Sequence, residues 1–549
     1  MTSEKDRHPR HVTRSLRNFL ARWVFKPDLL FVLPAGLFAV TSFVAKYLGL
    51  EFKFAPSKPW WLLDPALLRE DAIASLFLLH AQPPFMNVLT SLLLKVEAIP
   101  WLNVGTLASG IYWLFSLAAL FFFYEGLKFL TQSKPLATVL TCVHALNPAV
   151  YLFTQSYNHT NPAHLMISVV FYGTARISST GSHRDLAWAG TGLLLLSWVR
   201  PQYHPIFCCL YLVLLAGLVF WVRRPPWTVK HVILIVACFC SMICLWPLKN
   251  FARFGAFTNS TWIGYNFARN TPVRYQFEAG FNDVENLRKL SDGLHPVLSQ
   301  LVKSEGGGQD RNWNHIWFVE SSGVLAGDSI RFRSSNKAMY LKWAFCQYSM
   351  ATRPGFYQVY SIPPLLEERL KKGFYAAFVR FYDRLLFGDL KPLLEYCGFG
   401  KEYETITLRS GDGTLHEKMC SFDEFVTLMA NLSGCSIRPV RFSLYGFILL
   451  PGFFVLIPVL IVVRWKKMHP ADVVAALCWV LVAWVLGTTC FSDGIEGARI
   501  RFACSSFNLV FLYYVVSRIL SMKRFQPRHA RNMNQESEAT ENVPATKMA

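Results

Sequence analysis

The residues able to do chemistry in this chain gather in a few stretches. Residues 51–103 carry Glu51, Asp64, Glu70, Asp71 and His80. Further along stand Asn158-His159, Arg200, His204, Lys249-Asn250 and Arg253, and a late stretch carries Asp493, Glu496, Arg499 and Arg501. Carboxylates and guanidiniums brought side by side suit the transfer of a group from an anionic leaving group to a hydroxyl. A carboxylate takes the acceptor's proton, and arginines neutralise the departing phosphate. Guanidinium fits the second task because it offers paired donors and stays charged.

Those residues must be positioned by apolar elements. The chain has 549 residues, of which 53% are hydrophobic and only 16% charged. The apolar excess is clustered in runs, which excludes a soluble globular enzyme, a disordered chain and a disulfide-stapled miniprotein. The net charge of +20 does not indicate nucleic acid, because the Lys and Arg residues flank apolar runs, where they report topology. Thirteen scattered cysteines show no metal-binding CxxC pairs, and no metal site is expected.

About 20 apolar residues cross a bilayer core of about 30 Å. Windows that qualify are 29–50, 104–124, 136–156, 160–178, 231–248, 443–463, 471–490 and 501–520. The stretch 187–222 is too long for one crossing and is broken at Arg200-Pro201-Gln202-Tyr203-His204, so it counts as two. The expectation is an all-α polytopic membrane protein of about ten crossings. Basic clusters at Lys5–Lys26, Arg223-Arg224, Arg464–Lys467 and Lys523-Arg524 place both termini in the cytosol. Loop 51–103 and an insert at 249–442 then face the lumen. Residues 74–96 contain His80, Gln82, Pro83, Pro84 and Asn87. They read as helices lying in the lumenal interface rather than as a crossing.

The resulting plan is a basic cytosolic tail at 1–28, a bundle at 29–248, the insert, C-terminal spans at 443–520 and a disordered cytosolic tail at 521–549. The insert is large enough for a small domain. Its Cys346, Cys397, Cys420 and Cys435 permit one or two disulfides in an oxidising lumen. Of three sequons, at Asn158, Asn259 and Asn431, only Asn431 stands far enough from the bilayer to accept a glycan. The span centres contain almost no Asp or Glu, which weighs against an ion-coupled transporter.

Asp64-Pro65-Ala66-Leu67-Leu68, followed by His80-Ala81-Gln82-Pro83-Pro84-Phe85, resembles the first-loop signature of the GT-C glycosyltransferases. That superfamily includes the protein O-mannosyltransferases and the lipid A aminoarabinose transferase. Trp246–Gly255 with Gly264-Tyr265-Asn266, and Asp493–Phe502, are similar to later stretches of bacterial-type members. The mannosyltransferases place an Asp-Glu pair just after the first span, whereas here only Glu51 stands there.

The resemblance implies an inverting transfer of a sugar, a hexose such as mannose, from a polyprenyl (dolichyl) phosphate to a lumenal protein or glycan hydroxyl. It implies little or no dependence on a divalent metal. Asp64 is the preferred general base, with Asp71 second and Glu51 third. Arg200, Arg499 and Arg501 would hold the phosphate, and His80 and His204 would line the substrate site. The endoplasmic reticulum membrane is the expected location, with a bacterial inner membrane as the alternative. The rival function is a transporter or lipid scramblase without covalent chemistry.

Overall fold

The computed structural model describes residues 28–47, 52, 54, 56, 62, 63, 65–97, 99, 101–223, 229–269, 271, 317–337, 340, 341, 344, 387–389, 403–409, 415–421, 441–443, 450–492 and 503–521. Most of these are helical. A 3-10 turn at Leu29–Phe31 leads into α1 (Val32–Tyr47). The first loop forms α2 (Pro65–Glu70), α3 (Ala72–Leu78) and α4 (Phe85–Val96). Next come α5 (Val104–Thr131), α6 (Lys134–Ala145), α7 (Pro148–Thr154), α8 (Thr160–Thr180), α9 (Leu186–Val199), α10 (Pro205–Arg223) and α11 (Val229–Phe254). In the insert, α12 (Ile263–Arg269) and α13 (Trp317–Ser335) are followed by two antiparallel strand pairs. Strand β1 (Phe387–Asp389) pairs with β4 (Arg441–Ser443), and β2 (Tyr403–Arg409) pairs with β3 (Leu415–Ser421). The chain then forms α14 (Leu450–Val463), α15 (Pro470–Ser492) and α16 (Phe507–Leu520).

Five of the described helical segments are long and apolar enough to cross a membrane: Leu29–Tyr47, Val104–Thr131, Pro205–Arg223, Val229–Phe254 and Pro470–Cys490. The protein is therefore a helical membrane protein. The 187–222 stretch is two helices, α9 and α10, with the turn where Pro201 and Pro205 forbid a continuous rod. The 74–96 stretch is also two helices, parted by a non-helical link at 79–84. At 12 residues, α4 is about 18 Å long and too short to span.

The window 136–156 departs from a single rod. Helix α6 stops at Ala145, and α7 restarts at Pro148, with Asn147 accepting the Ala149 N–H at 3.0 Å. Proline lacks the N–H that an unbroken helix needs, and it fits the first turn of a new one.

Helix α8 is the centre of the bundle. Nearly all of its residues are buried, from Thr160 through Ser178, and α5 and α9 flank it. Small residues allow that approach. A β-carbon on Gly173 would collide with the backbone of Ala189, and one on Gly192 with the backbone at Val170.

One end of the bundle is stapled by Asp472, which is fully buried at the start of α15. It accepts from Tyr514 Oη at 2.7 Å and from the His469 N–H at 2.6 Å, and it forms ion pairs with Arg518 at 3.0 Å and Arg464 at 3.6 Å. Arg223 closes α10 onto the end of α8 by donating to the Ser178 carbonyl at 2.7 Å and to the Ser179 carbonyl. The opposite end carries His80 and Arg200.

Candidate functional site

The link between α3 and α4 has to expose backbone. Pro83 and Pro84 have no N–H and hold residues 79–84 out of the helix. Three successive carbonyls there need donors, and the stretch leaving α11 supplies all three. Lys249 Nζ donates to the Leu79 carbonyl, the Thr261 N–H to the His80 carbonyl at 3.0 Å, and the Ser260 hydroxyl to the Ala81 carbonyl. The His80 ring is buried, with Nδ1 2.8 Å from Thr261 Oγ1 and its plane tilted against Phe254 at 4.7 Å. Lys249 also lies 3.9 Å from the Trp246 ring centre, a cation–π contact that offsets part of its desolvation.

The same 259–261 segment reaches the arginine. Asn259 is fully buried and donates to the Ser197 carbonyl at 2.8 Å. Three residues on, Arg200 ends α9 in extended conformation, as the residue before a proline does. Its side chain is fully buried, and one guanidinium nitrogen lies 3.4 Å from Thr160 Oγ1. Thr160 begins α8, where its N–H is capped by Asn158 Oδ1 at 2.7 Å. Tyr112 Oη then donates to the Asn158 carbonyl at 2.8 Å. Two polar sets thus lie at this end of the bundle: the 79–81 carbonyls and His80 with Lys249, Ser260 and Thr261, and Arg200 with Thr160 and Asn158; Asn259 reaches from the first to the Ser197 carbonyl, three residues before Arg200.

His204 follows Arg200 around the turn. It is half-buried, and its Nδ1 accepts the Ile206 N–H at 3.4 Å. Burial lowers its pKa below the ordinary histidine value. The turn itself is fixed by Trp484, whose indole N–H donates to the Gln202 carbonyl at 2.7 Å while its ring stacks on Phe207 at 4.5 Å.

Among the first-loop acids, Asp71 is exposed and serves as the N-cap of α3, accepting the Ala74 N–H at 3.0 Å. Asp64 and Glu51 lie outside the described residues, as do Arg499, Arg501 and Asn431. The immediate neighbours of Asp64 are nonetheless fixed. The Leu63 N–H donates to Asn87 Oδ1 at 2.8 Å, and Ser91 on α4 donates to the Leu68 carbonyl at 2.8 Å. Both anchors sit on α4, the helix that starts just after His80. Beside them Thr90 pairs with Tyr157 Oη at 2.5 Å. Burial pushes the Tyr157 phenol up to about 12, so it is a neutral hydrogen-bonding group at pH 7.

The 259–261 segment thus lies between His80 and the end of α9 that carries Arg200, with His204 on the adjoining turn, and Asp71 is at the surface. Asn259, Thr261, Thr160 and Asn87 were missed by sequence reasoning. The Asn259-Ser260-Thr261 triplet carries a glycosylation signal in sequence, whereas in the fold it is a buried set of hydrogen-bonding groups.

No protein-family model and no curated protein matches this chain.

Proposed function

We propose that the chain is a multi-pass membrane glycosyltransferase that moves a sugar from a polyprenyl-phosphate donor to an acceptor hydroxyl with inversion. The observation that carries this reading is the buried Arg200 guanidinium, three residues past the Ser197 carbonyl that Asn259 holds, at the end of the bundle where α4 holds the Leu63 N–H beside Asp64. A guanidinium offers forked donors that two phosphate oxygens can accept together. In this reading α6–α7, α8, α9, α14 and α16 complete ten crossings. The His80 end is lumenal, in the endoplasmic reticulum or its bacterial equivalent.

The acceptor oxygen attacks the anomeric carbon as the bond to the phosphate oxygen breaks on the opposite face. Asp64 takes the acceptor proton. The lipid phosphate leaves with the bonding electron pair, neutralised by Arg200 with Arg499 and Arg501. His80 has Nδ1 committed to Thr261, so any contact with the donor falls to Nε2.

Membranes containing the purified chain, supplied with labelled lipid-phosphate sugars, test this. Wild type should transfer label from at least one donor. Asp64→Asn should lower the rate by about 10² or more, and Arg200→Lys by a similar factor. Absence of transfer across mannosyl, glucosyl and aminoarabinosyl donors would reject the proposal.

A second reading, transport without covalent chemistry, draws on a polar seam inside the bundle. Ser116 contacts Thr154 at 2.5 Å and Asn161 at 3.0 Å, and farther along α8 the His144 and His164 rings meet at 3.0 Å. Flux of lipid or solute in proteoliposomes that survives Asp64→Asn would favour it.

A further inference from the structure

On the outer face of α5 lies a cleft that the polar network does not use. It occupies about 640 Å³ between α1 and the first turns of α5, at the His80 end. That volume lies within the range of small-ligand sites, about 300–1,000 Å³. Its lining is mixed: Ser42, Lys46, Ser109 and Gln155 are polar, while Phe43 and Trp113 form walls. Among the described residues that line it there is no carboxylate, and Lys46 carries the one formal charge. Ser42 is buried, and its hydroxyl has no hydrogen-bond partner among the described residues. A buried hydroxyl in that state costs stability until an acceptor reaches it.

We propose that this cleft binds the phosphate headgroup of a membrane lipid. Three features select that ligand. The cleft sits where α1 ends and α5 begins, the level at which headgroups meet a spanning bundle. Its single ammonium and its hydroxyls match phosphate oxygens, as donors to an anion should. On α1, Phe43 is 71% exposed and Val40 60% exposed, and together they form an apolar track for the acyl chains leading out of the cleft. The inference depends on the membrane character of the helices and not on sugar transfer.

Native mass spectrometry of the purified full chain tests it, with dioleoylphosphatidate against dioleoylglycerol, which has the same chains and no phosphate. Wild type should retain phosphatidate in clear preference to dioleoylglycerol. Lys46→Gln should weaken that retention about tenfold. Ser109→Trp, which fills the cleft, should abolish it while the gel-filtration profile stays unchanged. If Ser109→Trp misfolds, the Lys46→Gln comparison decides alone. Equal retention of both lipids, or wild-type retention by Lys46→Gln, overturns the proposal. Displacement of phosphatidate by excess inorganic phosphate overturns the lipid assignment, since the headgroup alone would then suffice. Because the readout is bound lipid, its failure is separate from any failure to transfer sugar.

Discussion

Asp71 and His204 show how a single side chain's surroundings decide its work. Asp71 is spent on the α3 N-cap, a role that asparagine fills as well. Asp71→Asn should therefore leave both stability and transfer close to wild type. Asp71→Ala should cost about 1 kcal/mol of stability, measured as a shift in thermal midpoint in detergent. A loss of transfer in Asp71→Asn with stability intact would make Asp71 the base in place of Asp64. His204 gives a pH signature. Burial lowers its folded pKa below about 6.5, so the folded chain prefers the neutral ring. As pH falls through about 6.5, the unfolded chain takes up a proton that the folded chain resists. Its contribution to stability is complete above that pH and declines below it. Thermal midpoints from pH 7.5 to 5 should fall less steeply in His204→Gln than in wild type.

The apolar runs located the helices, because spanning length and hydropathy are local properties of the sequence. The turn at Arg200–His204 was legible too, since two prolines mark it. The break at Asn147-Pro148 was not read, because the apolar run passes through it and masks the proline. The network around His80 was only half visible. The histidine and the arginine were identifiable by type, but their link runs through Asn259, whose partner is a backbone carbonyl sixty-two residues away. No sequence pattern announces a carbonyl that needs a donor. In the sequence Asp472 is only an acid at one end of an apolar run. In the fold it binds α14, α15 and α16 together through Arg464, Tyr514 and Arg518. Asp472→Asn removes the charge and leaves Arg518 desolvated beside a neutral amide. Breaking a buried pair in this way costs about 3 kcal/mol or more. Unfolding in graded denaturing detergent should reveal it, and a change under 1 kcal/mol would show that solvent reaches Arg518.

For the molecule as a whole, two of the three sequons lie in buried chain. Asn158 and Asn259 are both buried, with their side chains already engaged. When the chain is expressed in a eukaryotic secretory membrane, Asn431→Gln should remove the endoglycosidase-sensitive mobility shift. Asn158→Gln and Asn259→Gln should leave it unchanged. A shift that persists in Asn431→Gln would reverse the assigned sidedness or place another asparagine at the surface.

The sheathing of α8 bears on how the protein is made. This helix carries Asn161, His164, Ser168, Thr174 and Arg176, and it is not among the helices apolar enough to cross a bilayer unaided. Lipid would solvate it poorly. In the proposed arrangement of ten crossings, its entry into the bilayer during synthesis would await company from α5 and α9, so the translocon would release these segments as a group and not one at a time. A nascent chain halted before α9 emerges would hold α8 at the insertion gate, exposed to quality-control machinery that a finished bundle never meets.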